Sequence, residues 1–188
     1  GVQTCALPIL TTVAAGGLMQ GSGSPGTWLN AQGRIRAAFT LWRYSGEGFA
    51  FEFDAGNGDH WNSELLQAID QYTFSEKMTV TEASARGAIE CAWILPFPGD
   101  ARIPAGLTPG ETIATDDELR FCHHGSSDFG RAWITVWGRP ARLEQWLDRH
   151  FTAQSDAVTL AELEAARISA VRPRVDSEDR KSTRLNSS

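Results

Sequence analysis

The densest group of chemically active side chains in this sequence surrounds two adjacent histidines. His123 and His124 are followed by Ser126, Ser127 and Asp128, the residue types that serve as base, nucleophile and orienting acid in hydrolases. The segment lacks a nucleophile elbow, and neighbours within one loop rarely reach triad geometry. The cluster therefore does not predict a hydrolase, and histidines beside a hairpin turn are expected to be exposed.

The remaining polar residues give no stronger pattern for catalysis or metal binding. The four histidines are scattered over three predicted elements, and no CxxC motif is present, which argues against a metal centre. The acidic run 116–118 precedes a predicted strand and is expected to be a solvated loop. Cys91 and Cys122 lie in strand-like runs and are expected to be buried or half-buried thiols. We predict no catalytic residue and no metal ligand from the residues alone.

A glycine-rich stretch, GLMQGSGSPGTW, raises the question of a phosphate-binding loop. No GK[ST] follows it, and no strand–loop–helix pattern surrounds it. It is therefore expected to be a flexible turn that precedes a strand.

Hydrophobic periodicity predicts a β-hairpin and then a helix in the first half of the chain. The run 35–44 is rich in strand-forming residues, and SGEG supplies a turn. Phe49, Phe51 and Phe53 then alternate with other residues, which indicates a strand with one face in the core. Apolar residues at helical spacing follow over 60–74.

The second half predicts more strands and two helices. In order, these are strands at 75–84 and 87–97, a loop over 96–117, a hairpin of 119–125 with 131–138, and helices at 141–151 and 160–170. Because the strands pair locally and the helices cover one side, the fold class is α+β with a largely antiparallel sheet.

Composition limits the function classes. The hydrophobic content of 41% suits a globular core, and the net charge of −6 gives no support for direct nucleic-acid binding. No stretch is long and apolar enough to span a membrane. Gly1–Ile9 is too short and lacks the basic start of a signal peptide.

The two ends resemble something other than protein-coding sequence. Gly1–Ile9 and Asp179–Ser188 can be back-translated into the two complementary strands of one short-read sequencing adapter. We therefore interpret 1–9 and 179–188 as adapter translation and 10–178 as the protein itself, part of a longer chain. Removal of the ends takes away three basic residues and one acidic residue, which makes the net charge more negative.

Several motifs, in order, resemble the folate-binding YgfZ-like proteins, relatives of the glycine-cleavage T-protein aminomethyltransferase. LTTV at 10–13 stands where this family has a threonine-containing turn. The residues that match the later motifs are Leu29, Asn30, Gly33, Arg34 and Ile35, then Phe74, Lys77 and Val80, then Arg167, Ile168, Ala170, Pro173 and Arg174. The resemblance covers most of 10–178 and implies a partial T-protein-like folate-binding domain.

The resemblance implies a protein that binds tetrahydrofolate in a central pocket. Its expected role is to support iron–sulfur cluster assembly or repair and tRNA modification, with iron–sulfur proteins as partners, in the bacterial cytoplasm. The residues that it places at the folate are Asn30, Arg34, Asp54 and Ser169. Asn30 as a turn former, Arg34 as a surface charge and Asp54 as a strand-end residue are the alternative interpretations.

Two rival functions remain, and departures from the family pattern argue against the first and for the second. Aminomethyltransferases carry an acidic pair where this sequence has Ala37 and Ala38, and a methyl group cannot move a proton. This argues against the first rival, a folate-dependent one-carbon transferase. Ser169 and Val171 replace the Glu and Gly of the family's R-I-E-A-G stretch, which favours the second, an interaction domain with a decayed folate pocket. The cysteine motif of the YgfZ-like branch would lie beyond Glu178.

Overall fold

Two antiparallel sheets, one in each half of the chain, organise the described residues of this computed structural model. The residues that it describes are 12–30, 32–53, 64, 66–69, 71, 79–83, 87–126, 130–151, 159, 161, 162 and 165. The chain forms two compact units, which meet in the sequence between Thr81 and Glu82. The antiparallel sheets and helices confirm the predicted α+β class. The predicted domain over 10–178 spans both units, and the interpreted adapter ends lie outside the described residues.

The first unit contains a three-stranded sheet. Its strands are β1 (Ser22–Leu29), β2 (Ile35–Arg43) and β3 (Phe49–Phe53), and β2 lies in the centre. The predicted hairpin of β2 and β3 is confirmed, with Phe39 opposite Phe53 and Leu41 opposite Phe51. A short 3-10 helix, Ala15–Gly17, precedes the sheet.

The predicted alternation in β3 places its phenylalanines against the core of the first unit. The Phe39 ring lies 5.0 Å from the Phe51 ring in an edge-on arrangement and 5.9 Å from the Phe53 ring. Such pairs stabilise a sheet face beyond the area that they bury. Ile69, one of the residues described as helical within predicted helix 60–74, is buried in the same cluster.

Strand β1 corrects the expectation of a flexible glycine-rich turn, because the strand covers most of that stretch. Glycine is required here because other side chains pack closely against the strand, and not because the segment is mobile. A Cβ atom on Gly23 would lie 2.2 Å from the indole of Trp42, and one on Gly26 would lie 2.1 Å from Val13 Cγ2. Trp42 is fully buried, and its indole Nε1–H donates to Glu52 Oε2 over 2.8 Å. The glycines thus provide the space in which larger side chains cross the strand.

The second unit contains a four-stranded sheet and a helix. The strands are β4 (Glu90–Ile94), β5 (Thr112–Ala114), β6 (Arg120–Ser126) and β7 (Ala132–Gly138), and their order across the sheet is β4-β7-β6-β5. The predicted hairpin of β6 and β7 is confirmed. Strand β5 was not predicted, because its three residues lie in a segment dominated by Pro, Gly and Thr.

Helix α1 (Pro140–His150) follows β7 directly. Pro140 occupies its first turn, where a missing N–H costs nothing. The predicted apolar stripe is confirmed, since Leu143 and Trp146 are buried in the core and Leu147 and Phe151 pack against it. The Phe121 ring meets the Trp146 ring edge-on at 5.3 Å, which joins the sheet to the helix.

Two other sequence predictions have different outcomes. The predicted strand at 75–84 is wrong over 79–83, which form no strand; its other residues lie outside the described ones. The predicted helix at 160–170 agrees with helical residues at 161, 162 and 165. There Thr159 N–H donates to Glu162 Oε2 over 2.9 Å, and Glu162 N–H donates to Thr159 Oγ1 over 3.2 Å, the reciprocal bonds of a capping box. None of the described helices is long and apolar enough to cross a membrane.

We predict that Gly23→Ala lowers the free energy of unfolding by roughly 1–3 kcal/mol, because the new methyl group overlaps the buried Trp42 ring. Thermal unfolding followed by tryptophan fluorescence measures the change. Gly16→Ala is the matched control, since nothing lies within 4 Å of a Cβ atom at that position. Equal melting temperatures for the two variants would contradict the close packing of Trp42 on β1.

Candidate functional site

The motif residue Asn30 organises the loop between β1 and β2. Its side-chain Oδ1 accepts hydrogen bonds from the backbone N–H groups of Gln32, at 3.0 Å, and Arg34, at 2.9 Å. Its backbone N–H also donates to the Arg34 carbonyl over 2.9 Å, and Gly33 takes a positive φ of 73°. Asn30 is therefore the turn former of this loop, and its Nδ2 group is the part of the side chain left to meet a ligand.

Arg34 lies beside Asn30 and is exposed. The structure thus brings together two of the four residues predicted to bind folate, on one loop of the first unit. The other two, Asp54 and Ser169, lie outside the described residues.

The alanines at the position of the aminomethyltransferase acidic pair belong to the interior of β2. Ala37 is 4% exposed and lies in the core cluster with Trp28 and Phe39. Ala38 is half-buried on the opposite face, where it pairs with Thr27. A carboxylate at position 37 would enter an apolar cluster, so this site has the environment of a core position rather than of an acid–base centre.

The adjacent histidines correct the expectation of an exposed pair. His123 is only 7% exposed, and its Nδ1 accepts the Gly125 N–H over 3.0 Å. His124 Nε2 lies 2.6 Å from Thr135 Oγ1 on β7. Burial, and secondarily the neighbouring His124, lower the pKa of the His123 ring below its usual value, so the ring is neutral at pH 7.

A one-residue bulge lies at His124 of β6. His123 pairs with Ile134, but Gly125 pairs with the next residue along β7, Trp133. The extra residue shifts the side-chain alternation of β6 by one. As a result, His123 and Ser126 both line the same cleft.

This cleft of the second unit has a volume of about 830 Å³. One wall is the loop 96–107, and the floor is the sheet face that carries Phe121, His123 and Ile134. Trp146 and His150 of α1 also line it. Its size and its mixture of apolar surface with a few polar groups are typical of small-molecule sites.

An ion pair holds the loop wall in place. Arg102 Nη2 donates to Asp100 Oδ2 over 2.6 Å, and the Arg102 backbone N–H donates to Asp100 Oδ1 over 2.9 Å. The hydrogen bonds from Arg102 hold the pKa of the Asp100 carboxyl below its usual value. Arg102 Nη1 also donates to the His150 carbonyl over 3.3 Å, and its guanidinium lies 4.3 Å from the Phe151 ring centre. The loop is thereby tied to the C-terminal end of α1.

The described residues contain no group of three or more His, Cys, Asp or Glu side chains placed to hold a metal ion. Ser127 and Asp128 of the considered triad lie outside the described residues, and so does His60. The two cysteines differ, since Cys122 is buried as expected but Cys91 is exposed. The expectation of a buried or half-buried thiol is thus wrong for Cys91, the second residue of β4.

Sequence reasoning missed the cleft. The sequence marks the loop wall of the cleft only as a segment rich in Pro and Gly. Most of the other residues that line the cleft lie in β6, β7 and α1, which no sequence pattern brings together with that segment. A long loop of this kind within a small unit is itself a signal of a binding site, and it was the only such signal that the sequence offered.

Comparison with known proteins adds no relative: no protein-family model matches the chain, and no curated protein matches it significantly.

We predict that Ala37→Asp destabilises the chain by roughly 3 kcal/mol or more, because it places an unpaired carboxylate in the core of the first unit. Chemical denaturation at pH 7.5 measures this. Ala38→Asp, on the half-buried face, is the matched control and is expected to cost clearly less. A fully stable Ala37→Asp variant would show that position 37 tolerates a charge and would reopen an acid–base role there.

We predict that stability falls as the pH is lowered from 7.5 to 5, in part through His123. Its folded-state pKa is lowered, so the unfolded chain takes up a proton near the usual histidine pKa while the folded chain does not. The loss begins near pH 6.5 and amounts to at most about 1.4 kcal/mol per pH unit. Denaturation at several pH values should show a shallower slope for His123→Gln than for the wild type. His124→Gln is the control, and identical slopes for all three proteins would contradict the buried neutral ring.

Proposed function

We propose that this chain is part of a folate-binding accessory protein similar to the YgfZ-like proteins, with a T-protein-like fold and a role in iron–sulfur cluster assembly or repair and in tRNA modification. The observation that carries the proposal is the ordered set of sequence motifs, above all Leu29, Asn30, Gly33, Arg34 and Ile35. Tetrahydrofolate is the proposed ligand, and iron–sulfur proteins are the proposed partners.

The geometry of the β1–β2 loop supports a ligand role for one motif residue in particular. Asn30 and Gly33 are accounted for by the backbone, since one supplies the turn acceptor and the other the positive φ. Arg34 is exposed, and its side chain is not needed to form the turn. Its guanidinium is chemically suited to the carboxylates that folates carry on their glutamate tail.

The position of Ala37 supports a non-catalytic role over a one-carbon transferase. Aminomethyl transfer needs a group that moves a proton or stabilises developing positive charge. Ala37 supplies neither, and its surroundings in the core offer no place for such a group.

The alternative of an interaction domain with a decayed folate pocket keeps support from the sequence. Ser169 and Val171 stand where the family has Glu and Gly, so the charged hydrogen-bond acceptor for the pterin ring is missing. Folate affinity distinguishes this alternative from the proposal.

Calorimetric titration of the chain with tetrahydrofolate tests the proposal. We expect saturable binding, and we expect Arg34→Ala to weaken it by about tenfold or more, because a hydrogen bond to a charged group contributes roughly 1.5–3 kcal/mol. Arg142→Ala, an exposed arginine of α1, is the matched control and should bind as the wild type does.

Absence of binding by the wild-type chain at high micromolar tetrahydrofolate would favour the interaction domain. Binding that Arg34→Ala leaves unchanged would retain the folate proposal but remove the β1–β2 loop from the site.

A further inference from the structure

The floor of the second unit's cleft carries an unused hydrogen-bond donor. Because His123 Nδ1 accepts the Gly125 N–H and the ring is neutral, the ring proton resides on Nε2. Within the part of the chain that the structure describes, no residue accepts a hydrogen bond from this Nε2–H. His123 is nevertheless more than nine-tenths buried and lines the cleft. His123 Nε2 is not among the buried side-chain atoms that lack a partner, so this donor is accessible, and the cleft is the space from which a partner would come.

The charges around the cleft argue against an anionic partner. Arg102 is the one arginine or lysine among the described lining residues, and it is engaged with Asp100, with the His150 carbonyl and with the Phe151 ring. Asp117 at the rim is acidic and exposed. Arg131, whose guanidinium lies over the Phe97 ring, also donates to the Leu95 carbonyl. Desolvation of an anionic ligand among the described lining residues would therefore be costly.

The rest of the lining favours an apolar body. Phe121, Ile134 and Trp146 form a continuous apolar surface next to His123, and all three belong to the core cluster of the second unit. Phe97 at the opposite wall is 61% exposed, and the Arg131 guanidinium lies 4.1 Å from its ring centre. Such surfaces bind flat, weakly polar molecules through burial of apolar area.

We propose that the cleft binds a neutral, largely apolar small molecule that presents a carbonyl oxygen to the Nε2–H of His123. The neutral imidazole donates to the oxygen, Trp146 and Phe121 contact the apolar body, and the ion pair of Asp100 with Arg102 keeps the loop wall in position. The described residues of the site all belong to the second unit. It is independent of the proposed folate role of Arg34, so either proposal can fail while the other holds.

Benzamide and benzoate provide a matched pair of probes, because they share size and ring but differ in charge. In NMR titrations of the whole chain, we expect benzamide to shift the His123 ring nitrogens and the Trp146 indole signal saturably, at millimolar concentrations. Benzoate should bind at least about fivefold more weakly. Equal responses to the two probes, or benzamide shifts that avoid His123 and Trp146, would overturn the proposal.

Substitution of the donor gives a second test. His123→Phe keeps an aromatic ring of similar size on the floor and should weaken benzamide binding by about fivefold to tenfold, the effect of one hydrogen bond. His124→Gln should bind benzamide as the wild type does, since His124 contacts Thr135 instead. Unchanged affinity in a folded His123→Phe variant would overturn the proposal. If that variant does not fold, the wild-type Nε2 shift decides: its movement on benzamide addition supports the site, and its constancy refutes it.

Discussion

The ion pair between Asp100 and Arg102 is the interaction on which the shape of the second unit's cleft depends. Asp100 has a side chain only 11% exposed, and it accepts both side-chain and backbone hydrogen bonds from Arg102. Bonds of this charge-assisted kind are short and directional, so they fix geometry as well as contribute energy. The same guanidinium reaches the end of α1, and one residue thus couples a loop that has no regular structure to the most regular element of the unit. The other ties of the loop include the Ala132 N–H bond to the Pro96 carbonyl and the apolar contacts of Ile103 and Leu107 with the core.

Elements with strong periodicity were predictable from the sequence, and elements defined by close contact were not. The alternation of Phe49, Phe51 and Phe53 and the stripe of Leu143 and Trp146 each reflect one buried face, and period alone reveals such faces. The glycines of strand β1 suggest mobility, so the sequence predicts a flexible turn there. Their actual reason, the rings and methyl groups that press against them, lies in residues far away in the sequence.

The candidate sites show the same division. The β1–β2 loop could be located from its motif, because Asn30 and Gly33 are types that a tight turn requires. For that reason those two residues say little about a ligand: any protein with this turn would favour them. Turn formation does not explain the side chain of Arg34, and the proposed folate role of this loop therefore depends on that residue most. His123 could not be assigned to a cleft, because no sequence pattern connects it to the loop 96–107 that forms the facing wall.

The bulge in β6 has a consequence for how this sheet can vary. By inserting one residue, it changes the phase of the strand, so that positions three apart, His123 and Ser126, face the same side while Gly125 opposes Trp133 on the other. Loss of the one extra residue would restore regular alternation and leave Ser126 at the cleft. Regular pairing without a deletion would instead put the bare backbone of Gly125 opposite Ala132, in place of the Ser126 hydroxyl. The groups that β6 presents to the cleft thus depend on its pairing register with β7 as well as on residue identity.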